Sequence, residues 1–389
     1  MLDINRYRLP GFEKRFSRQR LDRALLVVLQ AQGKSRSAAE ESLKEMRELT
    51  SSAAIHVLEV VTGQVPNPSP KYFIREGKLT ELTAAAKNFK ANVLIFNVDL
   101  TPGQMGNIEA FTKVPVLDRT GLILEIFARR AQSREGKLQV ELAQLHYALP
   151  RIGGLGVVMS RLGGGIGGRG PGEQELEHDR RKVRNRIRQV KLEIEKVQKH
   201  RELIRSGRRR KNFITAAIVG YTNAGKSTLL NALTAGGSYV ADKMFATLDP
   251  VTRAESINNR STVPGSREPG GSGSEILFID TVGFLRDLPH GIVEAFHATL
   301  EEVAQADLLI HVLDVSSPQA REMKKDVEKV LQEIKADGKP VVLALNKADL
   351  LKEEEQSQAG IEWPDGILIS AKEKLGFKGL LAKVETAVV

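Results

Sequence analysis

Gly220-Tyr-Thr-Asn-Ala-Gly-Lys-Ser227 is the stretch that decides the fold of this 389-residue chain. It fits the pattern G-x-x-x-x-G-K-[ST], and its flanks suit that reading. Phe213-Ile-Thr-Ala-Ala-Ile-Val219 is apolar and β-branched, which predicts a buried strand. Thr228-Leu-Leu-Asn-Ala-Leu-Thr234 reads as the first turns of a helix. A strand, a glycine loop and a helix N-terminus gather backbone N–H groups around one small volume, and that volume suits a nucleotide β-phosphate. Gly220, Tyr221, Thr222, Asn223, Ala224, Gly225 and Thr228 make the cradle. Lys226 reaches for the β/γ oxygens, and Ser227 is a candidate ligand for Mg²⁺.

Further motifs follow in the order a GTPase needs. Phe245, Ala246, Thr247, Leu248 and Asp249 form a candidate first switch, where Thr247 offers a hydroxyl to Mg²⁺ and a backbone N–H to the γ-phosphate. Glu275-Ile-Leu-Phe-Ile-Asp280 is a predicted strand ending in a carboxylate placed to orient Mg²⁺ through water. Thr281 and Val282 lead to Gly283, a backbone contact for the γ-phosphate that is lost on hydrolysis. The expected strand Val341-Val-Leu-Ala-Leu345 delivers Asn346, Lys347, Ala348 and Asp349. Asp349 accepts from guanine N1–H and the 2-amino group together, and adenine offers neither donor. Leaving a buried carboxylate unpaired is costly, so discrimination on the order of 10⁴ is reachable. Ser370, Ala371 and Lys372, after the predicted strand Ile367-Leu-Ile, close over the guanine O6 edge. The sequence therefore specifies GTP and GDP as ligands, with Lys226, Thr247, Gly283 and Asn223 as the catalytic candidates.

One group is missing. Ras-like enzymes orient the attacking water with a glutamine after the DxxG glycine, and here that position is Phe284. Phenylalanine neither accepts a proton nor holds a water, so turnover by the chain alone is expected to be slow. A K⁺ ion bound through Asn223, together with a partner that orders the switches, is the expected remedy.

Charge is divided unevenly. Residues 1–211 carry 40 lysines and arginines against 23 acidic residues, a balance of +17, and the remainder carries 18 against 25, a balance of −7. A cationic half beside a mildly acidic one suggests that the first half meets a polyanion, and nucleic acid is the leading candidate. The chain has no cysteine, which excludes disulfides, thiolate zinc sites and cysteine nucleophiles. No apolar run approaches the roughly 18 residues of a membrane span, and no secretory signal is visible at the N-terminus.

The expected architecture is α/β throughout. An N-terminal parallel α/β domain (1–150) should carry strands near 23–29, 55–61, 93–98 and 114–118, with helices near 35–50, 77–89 and after Thr101. Residues 119–147 read as helical. His56 and His146 have no ligand-spaced companions and read as structural. Asp118-Arg119 and Arg129-Arg130 read as solvated charge, so no active site is assigned here. A glycine-rich linker (151–172) punctuated by Arg151, Arg161 and Arg169 is suited to lie along an RNA backbone. From 173 to 211 the stripe Leu176, Val183, Ile187, Val190, Ile194, Val197 and Ile204 predicts a long basic amphipathic helix, a hairpin or a coiled coil. Residues 212–389 form a Ras-like P-loop GTPase domain, interrupted at 258–274 by an insertion expected to be disordered.

GYTNAGKST, FATLDPVTR, DTVGFLRDLP, NKADL and SAK together resemble the HflX family of translation GTPases, relatives of the Era and Obg enzymes. In the first half, LDRTGLILEIFARRAQSREGKLQVELAQLHYALPRI and GGGIGGRGPGEQELEHDRRKVRNRI resemble that family's own signatures, and the match spans most of residues 20–375. The resemblance implies a monomeric cytoplasmic GTPase (or one of an organelle stroma or matrix) that binds the large (50S) ribosomal subunit. It implies that the protein splits stalled or idle ribosomes, with its N-terminal and helical regions entering near the peptidyl-transferase centre and meeting rRNA. The insertion at 258–274 departs from the family pattern, as does the lack of the C-terminal domain that many members carry. Two other functions stand beside this one. One is a subunit-assembly or RNA-remodelling GTPase whose nucleotide state gates rRNA binding. The other, a protein whose N-terminal domain hydrolyses a second nucleotide, has no visible support, since that domain carries no nucleotide fingerprint.

Overall fold

The computed structural model describes residues 22–31, 36–153, 171–209, 213–234, 251–256, 275–284 and 300–388. It divides into two compact units, with the boundary between Glu195 and Lys196.

The first unit is built on β1 (Arg23–Ala31), β2 (His56–Val65), β3 (Val93–Phe96) and β4 (Val116–Leu117), in the order β2-β1-β3-β4 with all neighbours parallel. The crossovers are α1 (Arg36–Ser52), α2 (Glu76–Asn88) and α3 (Pro102–Thr112). Leu25, Val27, Leu94 and Phe96 from the strands pack with Leu79, Leu82, Met105 and Ile108 from the helices. Parallel strands covered in this way read as the continuous apolar runs seen in the sequence. Helix α3 starts where its code requires: Thr101 and Gln104 form a reciprocal capping box, and Pro102 occupies the first turn.

Strand β4 is shorter than the run 114–118 suggests, because Asp118 leaves the sheet to cap α4 (Arg119–Arg130). This corrects its reading as solvated charge, since Asp118 is fully buried. Its carboxylate accepts from Gly121 N at 2.8 Å, Tyr147 Oη at 2.7 Å, Leu100 N at 3.3 Å and Arg151 Nη2 at 3.0 Å. Burial pushes its pKa up, and the Arg151 guanidinium pulls the other way. Arg151 in turn lies 3.5 Å from the centre of the Tyr147 ring. Arg119 is also engaged, at 2.6 Å from Glu45. A carboxylate this deeply enclosed serves the fold.

The helical stretch 119–147 breaks at Ala131, and Ser133 caps α5 (Arg134–Ala148) by accepting from Gly136 N. Next comes α6 (Pro171–Arg209), a single unbroken helix of 39 residues. It starts at Pro171, two residues before the expected boundary, in keeping with the tolerance of proline in a first helical turn. Val183, Ile187, Val190 and Ile194 are buried, the spacing of one helical stripe. Arg186 fastens the helix to α5 through two bonds to Glu141, at 2.6 and 2.9 Å. The stretches 154–170 and 257–274, and with them most of the expected linker and insertion, lie outside the described residues.

Among the described residues the second unit has six strands in the order β10-β9-β8-β5-β7-β6. These are β5 (Ile214–Gly220), β6 (Val251–Ser256), β7 (Glu275–Asp280), β8 (Leu308–Asp314), β9 (Val341–Asn346) and β10 (Ile367–Leu368). Only β6 runs antiparallel, against β7. The helices are α7 (Lys226–Leu233), α8 (Ala320–Glu333), α9 (Glu353–Glu362) and α10 (Phe377–Val388). Ala216, Ile218, Phe278, Ile310, Val312 and Ala344 form one core face with Leu229, Leu230, Leu380 and Val384. His311 on β8 is buried, and its pKa falls to about 3, first through burial and then through the charges of Lys324 and Lys226. It is a neutral core side chain at ordinary pH. Because β5, β8 and β9 run parallel, Gly220, Asp314 and Asn346 all emerge at the same edge of the sheet, where ligands of open α/β sheets bind.

Candidate guanine-nucleotide site

At that edge β5 passes into the glycine loop, and α7 begins at Lys226. Asn223 is exposed and takes φ +62°, a left-handed conformation that asparagine tolerates. Gly225 has φ +96°, and a Cβ there would stand 2.2 Å from Asn346 Nδ2, so only glycine fits. Tyr221, Thr222 and Ala224 are buried. Lys226 is buried as well and donates from Nζ to Tyr221 O at 2.7 Å. Burial lowers its pKa to about 8, partly offset by the charge of Asp280. Ser227 Oγ donates to Asp280 Oδ2 at 2.6 Å. Two hard oxygen donors therefore meet at the first turn of α7, a donor set that suits Mg²⁺, which takes few protein ligands beside phosphate oxygens.

The DxxG segment lies directly over the loop. Thr281 Oγ1 donates to Ile218 O at 2.7 Å, tying the segment to β5, and Val282 is buried. A Cβ on Gly283 would meet Thr222 Cγ2 at 2.8 Å, and Lys226 Nζ and Thr222 Cα at 2.9 Å. Phe284 then pairs with the loop through its backbone. Phe284 N donates to Gly220 O at 3.1 Å, and Thr222 N donates to Phe284 O at 2.8 Å. Its ring is buried. The sequence shows that Phe284 cannot orient water; this backbone pairing had no signal in it.

The base end is assembled from three loops by one side chain. Asn346 Nδ2 donates to Ala224 O at 2.7 Å, and Asn346 Oδ1 accepts from Ala371 N at 2.9 Å. Phosphate loop, β9 and the Ser370-Ala-Lys372 turn are thereby welded together. Ser370 is fully buried and accepts from Glu373 N at 3.1 Å. Lys372 is exposed. Asp349 sits in the 3-10 turn Ala348–Leu350 with its side chain exposed, so a guanine edge can reach it. Lys347 pairs with Asp314, a residue that the motifs do not include. Its only trace in the sequence is a carboxylate closing the apolar run of β8. Phe245 to Asp249, including Thr247, lie outside the described residues; β6, into which they lead, begins with Val251 opposite Asp280.

Three family models match: GTP-binding GTPase N-terminal over residues 40–128, GTP-binding GTPase middle region over 130–208, and 50S ribosome-binding GTPase over 215–347. GTPase HflX of Caldanaerobacter subterraneus subsp. tengcongensis is 47% identical over 94% of this chain and 80% of its own length. The chain belongs to the HflX family of GTPases. HflX of Escherichia coli K12 is 46% identical over 80% of this chain and 70% of its own. A solved structure of SsGBP with GDP is 28% identical, with a TM-score of 0.51 over 94% of this chain and 98% of that one. The chain is thus a GTP-binding GTPase, and its N-terminal, middle and P-loop regions match those of the family.

Gly283→Ala tests the contact between DxxG and the phosphate loop. Overpacking against Thr222 and Lys226 is expected to destabilise the protein by about 1–3 kcal/mol, and to weaken binding of a non-hydrolysable GTP analogue more than binding of GDP. Titration of both nucleotides against the variant checks this; equal losses would contradict the assignment of Gly283 to the γ-phosphate.

Proposed function

We propose that this protein is a GTP-driven factor that binds the large ribosomal subunit and dissociates stalled or idle ribosomes in the cytoplasm or an organelle matrix. The observation that carries this reading is the cationic face of α6. Its stripe is buried, while Arg181, Lys182, Arg184, Arg188, Lys196 and Lys199 are exposed, in a half of the chain with a balance of +17. Such a face binds phosphate backbones by releasing counterions. The match to a model described as 50S ribosome-binding GTPase supports the same reading.

In this reading Ser227 and Asp280, joined by Thr247, would hold Mg²⁺, and the ion would supply charge that neutralises the nucleotide's phosphate oxygens. Lys226 exchanges its bond to Tyr221 O for phosphate oxygens. Gly283 and Thr247 contact the γ-phosphate, and the form they order fits rRNA; hydrolysis releases it. Asp349 reads guanine N1–H and the 2-amino group. Phe284 leaves the attacking water without a side-chain partner, so the ribosome completes the site and turnover by the protein alone is slow. Asn223, which is exposed, would help hold K⁺ beside the phosphates.

Gradient co-sedimentation with isolated subunits is expected to show large-subunit binding with a GTP analogue, loss with GDP, and a steep decline with rising salt. Light scattering of 70S particles should fall only with protein and GTP or the analogue. Stable subunit binding without dissociation would favour an assembly or RNA-remodelling role instead. For the potassium site, single-turnover hydrolysis is expected to be faster in KCl than in NaCl, and equal rates would remove K⁺ from the account.

A further inference from the structure

Lys347 stands between Asn346, which welds three loops, and Asp349, the candidate reader of guanine. Its ammonium is fastened on the neighbouring strand, with Nζ 2.7 Å from Asp314 Oδ2. Asp314 closes β8 in register with Asn346 at the end of β9, and Val315 N donates to Asn346 O at 3.1 Å. The carboxylate cannot turn freely. Its other oxygen, Oδ1, accepts from Ser316 N at 3.1 Å and from Ser316 Oγ at 2.6 Å, which leaves Oδ2 for the lysine. The side chains of Asp314 and Lys347 are only 18% and 26% exposed, so solvent screens the pair less than it would a surface pair. Lys347 also holds φ +66°, a left-handed backbone that a long side chain keeps only when its surroundings fix it. Ala348 N to Ile369 O at 3.1 Å and Leu350 N to Lys347 O at 3.0 Å do so on the backbone side. Asp314 does so at the tip.

We propose that Asp314 is a positioning residue for guanine-nucleotide binding, holding Lys347 across the strand ends so that its stem is a fixed edge of the base site before the nucleotide arrives. A free lysine has large rotamer freedom to lose when a ligand orders it, and a fastened one has lost that freedom on folding, so binding costs less. The role depends on the guanine-nucleotide site alone and is independent of the ribosomal reading. Asp314→Asn keeps the shape and the acceptor for Ser316, and presents an uncharged amide to Lys347.

The test is a double-mutant cycle on the full chain, with Asp314→Asn, Lys347→Met and the double variant, reading fluorescent-GDP binding, steady-state GTP hydrolysis and thermal unfolding. Asp314→Asn is expected to bind GDP about tenfold more weakly and to raise KM for GTP alike, with kcat at saturation held and the unfolding temperature somewhat lowered. Combined with Lys347→Met it should add nothing, because both changes remove one interaction. Asp314→Glu, which keeps the charge, should recover most of the affinity, and it serves as the readout if Asp314→Asn fails to fold. GDP binding at the parental affinity in Asp314→Asn, losses that multiply in the double variant, or a fall in kcat with KM unchanged would each overturn the proposal.

Discussion

Two backbone hydrogen bonds join the DxxG segment to the phosphate loop: Phe284 N–H to Gly220 C=O, and Thr222 N–H to Phe284 C=O. They extend the sheet by one bridge beyond the ends of β5 and β7. They also set Gly283 against Lys226 with no room for a Cβ. The phosphate loop therefore cannot change its contacts without disturbing the DxxG segment, and the reverse holds too. Buried backbone groups at that depth are costly to leave unpaired, so the junction has few ways to rearrange. A switch requires that kind of discreteness.

The rest of the site is arranged around the same edge of the sheet. Asn346 fixes the phosphate loop to the base loops, and Asp314 fixes Lys347, so the ends of β5, β8 and β9 act as one rigid frame. Burial lowers the Lys226 pKa to about 8, and phosphate oxygens would supply opposite charge that raises it again. In the first unit, Asp118 plays a comparable organising part for Tyr147 and Arg151. There the carboxylate's partners are all internal, and no ligand is needed to explain it.

Much of this was legible in the sequence because local patterns carried it. Apolar β-branched runs marked the parallel strands, Thr101-Pro-Gly marked the start of α3, and the nucleotide motifs marked the loops at the strand ends. The relatives bear out the family that those motifs suggested. What escaped were relations between distant residues. Asp118 read as solvated charge because its partners Leu100, Tyr147 and Arg151 lie 18 to 33 positions away. The sequence called Phe284 for the chemistry that its side chain lacks, and gave no sign that its backbone binds the loop. Asp314 was invisible for a third reason: an acidic residue at a strand end carries no motif until Lys347 is seen beside it.

Coupling between the phosphate loop and the DxxG segment is measured most directly by amide hydrogen exchange at Thr222 and Phe284. Protection at both amides is predicted to change together, and to differ between GDP and a GTP analogue. Exchange at the two amides that is independent, or identical in both nucleotides, would contradict it.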